Sequence, residues 1–565
     1  MQTPLNQIHS PTDEERHEML MEALELDNRP EDYEFIIKYL SPPPDITNYA
    51  KPGGLKDKKK CIIGGGLAGL AAAFELRKLG ANITILEASD NRIGGRVYTY
   101  YFDTEGNYYG EFGAARVPAS HETSWHYINM FGLNMISLAN TNNNNFLYVH
   151  NTRLRVTDSI EKYLYPLYPL TPQEKATSWI DLSHYAINYS FLALPPEIRS
   201  ELIRILPFSS SEILPLMNMS TRQNFEKLGL SQGFIQLISG LRPSIGSFLH
   251  HSYDELAGLE YTLDNRLTYT MPGGFYLLPS AFYNSFSTEY PAAYHSIDKN
   301  LLGHVHMKLG HLVTGIYQSN YQNKIVIKYK NKTDTTEGAE IFDYCICAIP
   351  FSSLRAVEIK PRLSDTKMQA IMELNYADAQ KTLFLCNRRF WERNTDYGRI
   401  IGGTSLTDLP IQTIIYPILR NENLYNWNSL SDEPGVLTAS YSLGQDAARV
   451  AGRQEPNSYL LIKRCVEEVH GLPRGFLNTL VEENHTVHWD NESYFTGAFA
   501  NCLPSQKPLF LYDMQRPEYN NRLFFAGEHV SSKHGWMQGS LYSGKAAANA
   551  LAESVTTSNN YGYKT

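Results

Sequence analysis

The feature that most constrains the fold is a glycine-rich turn in the sequence KKKCIIGGGLAGLAAAFELRKLG, with glycines at Gly64, Gly66 and Gly69. The turn follows a short apolar run and opens an amphipathic helical pattern, after which a second apolar run ends at Glu87. This order predicts a dinucleotide-binding unit, in which the glycines permit the tight turn, the approach to a pyrophosphate and close helix–strand packing. The phosphates would face the unpaired N–H groups of the helix, and Glu87 would bind a ribose hydroxyl. A glycine-rich turn that binds no ligand is the alternative.

The length and charge of the chain limit the remaining possibilities. A chain of 565 residues predicts two or three domains. The apolar fraction of 42% and the charged fraction of 19% are ordinary for a globular protein. The net charge of −9 argues against a nucleic-acid partner, since the one basic tract covers only residues 58–60.

The targeting and cysteine patterns indicate a cytoplasmic protein. The first residues lack the basic start and apolar stretch of a signal peptide, and no apolar run is long enough for a membrane helix. The six cysteines form no CxxC pair, so we predict no metal site and expect free thiols in a reducing compartment.

Local patterns predict several individual elements. Ser10 and Pro11 indicate the start of a helix that extends to residue 26. Between residues 300 and 350 we predict three strands, at 311–316, 324–329 and 344–348. Residues 155–260 are mainly helical in pattern.

Motifs far apart in the chain resemble the FAD-dependent amine oxidases and, within that family, the L-amino acid oxidases. The motifs are Gly94-Gly95-Arg96 near the start, then FAGE at 525–528, HGW at 534–536 and Ser543-Gly544 near the end. The resemblance runs from about residue 30 to 553 and is weaker in the helical part. It implies FAD as the cofactor and makes a nicotinamide cofactor a minor alternative.

The resemblance implies an α/β plus α+β fold, with a discontinuous Rossmann-like FAD-binding domain, a mixed-sheet substrate domain and a helical insertion. The predicted division is an N-terminal helical arm (1–55) packing on the substrate domain, the FAD-binding domain (56–96, 292–372 and 510–555), the substrate-binding domain (97–155, 262–291 and 373–509), the helical domain (156–261) and a disordered tail (556–565).

The same resemblance assigns cofactor contacts outside the glycine turn. Glu87 would hold the adenosine ribose, Gly95 and Arg96 would lie near the pyrophosphate, Val313 would contact the adenine side through its backbone, and Glu528 would bind the ribityl or phosphate region.

The attachment of the flavin is also implied. Phe499 stands where covalent monoamine oxidases carry a flavin-linked cysteine, and Cys502 lies three positions further on. The flavin is therefore expected to be bound non-covalently.

The substrate side resembles that of the L-amino acid oxidases. Arg116 matches the arginine that binds the substrate carboxylate, and Tyr441 matches the tyrosine that completes the clamp. A guanidinium and a phenol make a strong carboxylate site, so decarboxylated amines should be poor substrates. Trp536 would form one wall at the flavin, while Ala500 stands where simple amine oxidases carry a second aromatic residue. The backbone carbonyl of Gly535 would orient the amino group.

Lys381 matches the family lysine that holds a water near flavin N5, and an outward-facing strand lysine is the alternative. The implied reaction transfers hydride from Cα to FAD, releases an imino acid that hydrolyses to a 2-oxo acid and ammonia, and yields hydrogen peroxide from oxygen.

The sequence constrains the side chain of the substrate less than it constrains the carboxylate. Phe499 and Leu443 fall at substrate-contacting positions, which favours bulky apolar or aromatic L-amino acids. A basic substrate would need an acid such as Asp254 or Glu255. The pair His250-His251 is interpreted as a polar face rather than part of the entrance.

Three other functions stay open: an oxidase of simple amines, an L-amino acid monooxygenase that decarboxylates its substrate to an amide, and a flavin-binding protein without turnover. The resemblance also suggests a homodimer.

Overall fold

The structure is a computed structural model that describes residues 10–138, 142–319, 323–417, 431–453 and 456–561. The α-helices of these residues are α1 (Asp13–Leu26), α2 (Tyr33–Leu40), α3 (Leu67–Lys78), α4 (Glu122–Met130), α5 (Ile160–Tyr163), α6 (Pro172–Lys175), α7 (Trp179–Leu192), α8 (Pro196–Arg199), α9 (Leu214–Met217), α10 (Thr221–Lys227), α11 (Gln232–Leu241), α12 (Pro243–Ser247), α13 (Tyr253–Tyr261), α14 (Leu277–Ser287), α15 (Phe351–Leu354), α16 (Asp365–Glu373), α17 (Gly444–Ala451), α18 (Asn457–His470), α19 (Gln506–Gln515) and α20 (Met537–Tyr561).

The β-strands are β1 (Lys59–Ile63), β2 (Asn82–Leu86), β3 (Thr99–Tyr101), β4 (Tyr109–Glu111), β5 (Val117–Pro118), β6 (Ile136–Leu138), β7 (Phe146–Val149), β8 (Thr152–Arg155), β9 (Thr268–Thr270), β10 (His304–Lys308), β11 (His311–Gln318), β12 (Ile325–Asn331), β13 (Glu337–Phe342), β14 (Tyr344–Cys347), β15 (Glu358–Lys360), β16 (Tyr376–Ala377), β17 (Ala379–Cys386), β18 (Thr404–Thr407), β19 (Thr413–Ile415), β20 (Gly435–Leu443), β21 (Val481–His488), β22 (Phe499–Ala500) and β23 (Leu523–Phe525).

A parallel sheet in the order β10-β2-β1-β14-β23 organises the cofactor side. Its strands come from three separate stretches of the chain, all within the segments predicted for the FAD-binding domain. Helix α3 follows β1 and packs against α14 and α20. The predicted α/β fold with additional mixed sheets is confirmed.

Helix α3 was predicted to be amphipathic, and this prediction was wrong. All twelve of its residues are buried, because the sheet and two other helices enclose it. Its charged residues are instead paired inside the protein: Glu75 accepts hydrogen bonds from Lys78 and Tyr127, both at 2.8 Å. A buried helix can carry charges only when such partners are present.

The strand prediction for residues 300–350 missed two strands. The three predicted strands correspond to β11, β12 and β14, but β10 and β13 are also present. Strand β10 has the sequence HVHMK, and β13 has EGAEIF. Both are edge strands with exposed polar residues, so they lack the continuous apolar run that identifies a central strand.

The substrate side contains a seven-stranded sheet in the order β21-β17-β20-β19-β18-β7-β8. Strand β17 lies between β21 and β20 and pairs with both in antiparallel fashion. Helices α5 to α13 fall in the stretch predicted to be helical. A further four-stranded sheet has the order β13-β12-β11-β15.

The N-terminal cap was assigned to the wrong residue. Thr12, and not Ser10, caps α1, because its side chain accepts from the Glu15 N–H while Glu15 accepts from the Thr12 N–H. Ser10 instead accepts a hydrogen bond from the Met135 N–H at 2.7 Å.

The arm contacts more than the substrate side on which it was predicted to pack. Arg16 pairs with Glu122 of α4 at 2.7 Å. Asp32 pairs with Arg199 of the helical segment, also at 2.7 Å.

The C-terminal prediction also needs correction. Helix α20 continues to Tyr561, so the tail predicted to be disordered from residue 556 is helical over its first six residues. Residues 562–565 lie outside the described part of the chain.

The six cysteines are buried free thiols, as predicted, and Cys61, Cys345 and Cys347 lie in β1 and β14. Among the helices in the described ranges, none is both long and apolar enough to cross a membrane.

Candidate functional site

The glycine turn between β1 and α3 has the geometry that a pyrophosphate requires. Gly64 has φ +101°, a left-handed conformation that favours glycine. A Cβ on Gly69 would lie 2.1 Å from the Gly64 carbonyl oxygen, so only glycine lets the helix pack here. A Cβ on the neighbouring Gly66 would meet no atom closer than 4.0 Å, which leaves open space above the helix N-terminus.

Glu87 lies at the end of β2 beside this turn. Its carboxylate accepts hydrogen bonds from the Gly65 N–H at 2.6 Å and the Ser89 N–H at 2.8 Å. Burial raises the pKa of Glu87, and the two N–H donors oppose that shift. The group is fixed in position and faces the space where a ribose would lie, so these residues fit a dinucleotide.

Glu528 connects the start and the end of the chain. It pairs with Arg96 at 2.9 Å and accepts hydrogen bonds from the N–H groups of Ala500 and Gly535, the latter at 2.9 Å. Gly95 adopts φ +61° and brings the second glycine pair against Gly66, whose Cα lies 3.3 Å from the Cβ position of Gly95.

One continuous cavity of about 1470 Å³ joins the cofactor and substrate sides. All the predicted site residues except Gly69 line it: Gly64, Gly66, Glu87, Gly95, Arg96, Arg116, Val313, Lys381, Tyr441, Leu443, Phe499, Glu528, Gly535 and Trp536. Gly69 lies beneath the turn, where it permits the close packing of α3.

Arg116 is half-buried in the cavity wall. Its Nη2 donates to Asn265 Oδ1 at 3.1 Å, and its guanidinium lies 5.5 Å from the centre of the Trp536 ring. Among the described residues, no carboxylate lies within salt-bridge distance (4.0 Å) of Arg116. Burial lowers its pKa, and Tyr441 and Asp264 oppose that shift. A guanidinium keeps its proton in proteins, so the cavity contains a positive charge without an acidic partner.

Lys381 and Tyr441 are directly opposite each other on β17 and β20. The Lys381 ammonium donates to the Gly113 carbonyl at 2.7 Å and lies 4.8 Å from the centre of the Tyr441 ring. Lys381 is buried and lines the cavity, so the alternative of an outward-facing strand lysine was wrong. Burial lowers its pKa to about 8, although Glu111 opposes the shift.

Glu111 is a cavity residue that the sequence analysis missed. It accepts hydrogen bonds from Thr99 Oγ1 at 3.0 Å and from the Phe275 N–H at 2.8 Å. Burial raises its pKa to about 7. The available signal was an acid in the apolar sequence YYGEFGAA, five residues before Arg116.

The aromatic wall also contains a residue that was not predicted. Phe248 of the helical segment meets the Phe499 ring edge-on, with 6.1 Å between the ring centres. His251 lies beside Phe248 and lines the cavity, whereas His250 is exposed and does not. The interpretation of the histidine pair as a polar face therefore holds for His250 but not for His251.

Asp254 and Glu255 are both occupied by cations. Asp254 pairs with Lys507 at 3.0 Å, and Glu255 pairs with His534 at 2.8 Å and lies 3.8 Å from Lys507. Burial alone would raise the pKa of Glu255, but His534 and Lys507 hold it well below its ordinary value. The Cys502 thiol also lies close to Glu255 and His534, within 4.8 Å, and the Lys507 ammonium lies beside this cluster.

Comparison with known proteins gives a consistent result. The model of the family described as flavin containing amine oxidoreductase matches residues 67–552. An L-amino-acid oxidase of Notechis scutatus scutatus is 28% identical over 500 residues, covering 87% of this chain and 86% of that protein. An L-amino-acid oxidase of Mus musculus is 28% identical over 542 residues, covering 94% of this chain and 74% of that protein.

Solved structures show the same fold. Cyclohexylamine oxidase from Brevibacterium oxydans IH-35A superposes with a TM-score of 0.64 at 16% identity, over 88% of this chain and 100% of that one. Wild-type putrescine oxidase bound to putrescine gives a TM-score of 0.61 at 15% identity, over 87% of this chain and 98% of that one. The chain therefore belongs to the flavin-containing amine oxidoreductase family and is an FAD-dependent oxidoreductase.

Proposed function

We propose that this enzyme oxidises the Cα-amine of L-amino acids with bulky apolar or aromatic side chains, giving a 2-oxo acid, ammonia and hydrogen peroxide. The observation that carries the proposal is Arg116: a half-buried guanidinium faces the cavity and is held by an amide rather than an acid. A partly buried charge of this kind is stabilised by a counter-ion, and a substrate carboxylate can provide one.

The clamp consists of two groups on different elements. Arg116 can donate two parallel hydrogen bonds to a carboxylate, and the hydroxyl of Tyr441 can donate a third. Each hydrogen bond to a charged group contributes roughly 1.5–3 kcal/mol. A decarboxylated amine would leave Arg116 unpaired, so the site should discriminate strongly against it.

The other residues orient the amino group and exclude water. The carbonyl of Gly535 accepts a hydrogen bond from the substrate amine, and Trp536 covers one side of it. FAD, when bound, would supply the hydride acceptor and the route by which electrons reach oxygen. Lys381, whose pKa is near 8, can hold a water molecule at the flavin edge of the cavity and exchange a proton with it.

The side-chain preference follows from an apolar part of the cavity wall. Phe248, Phe499 and Leu443 line this part of the cavity. The two acids considered for a basic substrate, Asp254 and Glu255, already pair with Lys507 and His534. A lysine or arginine side chain would therefore find no free carboxylate from these two residues.

The test is a peroxide assay of the purified yellow protein against the twenty L-amino acids and common amines, with product identification. We expect peroxide, a 2-oxo acid and ammonia, with the highest kcat/KM for aromatic or large aliphatic substrates. Amide and carbon dioxide as products would instead identify the monooxygenase alternative. The absence of turnover with every substrate would favour a flavin-binding protein.

We also propose that FAD is bound non-covalently, because Phe499 lines the cavity at the position of the linking cysteine and Cys502 points to His534 instead, 3.9 Å away. Acid precipitation should release all the flavin into the supernatant, and yellow protein in the pellet would contradict this. A cytoplasmic location, supported by six buried free thiols, and a homodimer complete the proposal.

A further inference from the structure

Two adjacent residues after α13 have opposite environments. Asp264 is fully buried, and its carboxylate accepts hydrogen bonds from Lys533 at 2.5 Å, Thr262 at 2.6 Å and His121 at 3.1 Å. Asn265, the next residue, lies in the cavity wall and accepts the hydrogen bond from Arg116. The charged side chain is thus directed into the protein and the neutral one towards the substrate site.

The backbone at this position is held in an uncommon conformation. Leu263 has φ +56°, in the left-handed region that a leucine rarely adopts. The turn is closed by hydrogen bonds from the Asp264 N–H to the Leu259 carbonyl and from the Arg266 N–H to the Leu263 carbonyl, both 3.0 Å. Such a conformation persists only where the surroundings impose it, and here the Asp264 contacts do so.

The same buried acid also supports the second neighbour of Arg116. His121, which donates to Asp264, meets the Trp536 ring edge-on with 5.0 Å between the ring centres. Trp536 in turn lies beneath the Arg116 guanidinium. The buried Asp264 therefore helps to position both Asn265 and Trp536, and Arg116 contacts both of these residues.

The chemistry of the contact matters because Asn265 carries no charge. An aspartate there would form an ion pair with Arg116 and compete with any incoming carboxylate. An amide oxygen orients the guanidinium by a hydrogen bond and leaves its charge uncompensated. The negative charge of Asp264 is instead compensated by the Lys533 ammonium, and His121 donates a hydrogen bond to the same carboxylate.

We propose that Asn265 is a positioning residue for carboxylate recognition: it orients Arg116 towards the cavity without neutralising it, and the buried contacts of Asp264 fix Asn265 in place. The inference rests on the proposed function, because it takes the carboxylate of the substrate as the partner of Arg116.

The test is the variant Asn265→Asp, which preserves size and adds one negative charge. The FAD-loaded enzyme is titrated with benzoate, a carboxylate that cannot be oxidised, and binding is followed by flavin absorbance. We expect the Kd for benzoate and the KM for L-phenylalanine to rise at least about tenfold, which is about 1.4 kcal/mol. The kcat for L-phenylalanine and the KM for 2-phenylethylamine should stay within about threefold of wild type.

Two further variants distinguish loss of the Asn265–Arg116 hydrogen bond from a general structural effect of the substitution. Asn48→Asp makes the same chemical change at an exposed position of the N-terminal arm and should leave the Kd for benzoate unchanged. Asn265→Leu keeps the number and branching of the side-chain heavy atoms but accepts no hydrogen bond, so it should weaken benzoate binding less than Asn265→Asp does. It also provides the test if the aspartate variant fails to fold.

The inference is overturned if Asn265→Asp and Asn265→Leu both bind benzoate within about twofold of wild type. It is equally overturned if binding of benzoate and 2-phenylethylamine weakens to the same extent, since that would indicate a general structural effect. A wild-type enzyme that oxidises no amino acid, yet binds benzoate more tightly than Asn265→Asp, would refute the proposed function and leave the role of Asn265 standing.

Discussion

At the scale of single residues, the proposed substrate class rests on the charge of Arg116. Arg116→Ala removes the clamp while leaving the glycine turn and Glu528 unchanged. Because two charged hydrogen bonds are lost, we expect KM for L-amino acids to rise by about 100-fold or more, with a normal FAD content. Steady-state kinetics and flavin absorbance measure both quantities. Arg242→Ala, which removes another arginine of the cavity wall, is the matched control and should leave KM nearly unchanged.

Lys381 gives a prediction about pH at the same scale. Burial lowers its pKa to about 8 in the folded protein, whereas a free lysine side chain titrates near 10.5. Between these values the unfolded chain binds more protons, so the stability of the wild type should rise as pH increases from 8 to 10.5. Glu111, with a pKa of about 7, has already titrated in this range and does not obscure the change.

Lys381→Met should remove the part of this rise that Lys381 contributes, while Lys60 and Lys367, whose pKa values burial lowers to about 7, contribute equally in both proteins. At pH 7.5 the variant should be more stable than wild type by on the order of 2–3 kcal/mol, and the difference should shrink towards pH 10.5. Thermal melts of the holoenzyme at several pH values provide the measurement, with the exposed Lys227→Met as the control. Parallel stability curves for wild type and Lys381→Met would show that the folded lysine has an ordinary pKa.

At the scale of elements, the helical segment is attached to the flavin side through a buried cluster of charges. Glu255 of α13 pairs with His534, which precedes Gly535 and Trp536, and lies near Lys507 of α19. Removing one partner of a buried pair leaves the others uncompensated. Glu255→Gln should therefore lower the free energy of unfolding by about 3–5 kcal/mol.

Denaturant unfolding measures this loss. Glu226→Gln makes the same change in a largely exposed pair with Arg222 and should cost less than about 0.5 kcal/mol. Equal effects of the two substitutions would mean that the cluster does not hold the helical segment in place.

Elements differ in how well the sequence predicts them. The central strands β1, β2 and β14 are recognisable because each contains a short apolar run, and Gly64 and Gly69 of the first turn are required by backbone conformation and by close packing. The edge strands β10 and β13 and the burial of α3 depend on neighbours that are distant in the chain. Local patterns contain no information about such neighbours.

The candidate site shows the same division. Arg116, Lys381, Tyr441 and Trp536 were predicted from motifs, and the structure brings them to one cavity. Phe248, Glu111 and Asn265 were missed because their importance comes from three-dimensional contacts: a ring packed on Phe499, a carboxylate near Lys381 and an amide on Arg116.

At the scale of the whole molecule, the architecture of the cofactor side depends on close packing at Gly69, where a side chain would clash with the backbone. Gly69→Ala would place a Cβ 2.1 Å from the Gly64 carbonyl and push α3 away from the turn. We expect purified Gly69→Ala to contain less than about one tenth of the wild-type FAD. Gly258→Ala, also in a helix, meets its nearest atom outside that helix at 3.7 Å and should retain its flavin. Full flavin content in Gly69→Ala would contradict the predicted role of the turn.

The most direct test of the central claim compares two substrates that differ only in the carboxylate. Wild-type holoenzyme is mixed anaerobically with L-phenylalanine or with 2-phenylethylamine, and the bleaching of the flavin absorbance is recorded. We predict rapid and complete bleaching with L-phenylalanine and a rate constant at least about 100-fold lower with the amine. Faster bleaching with 2-phenylethylamine would show that Arg116 does not select a carboxylate and that the enzyme is an oxidase of simple amines.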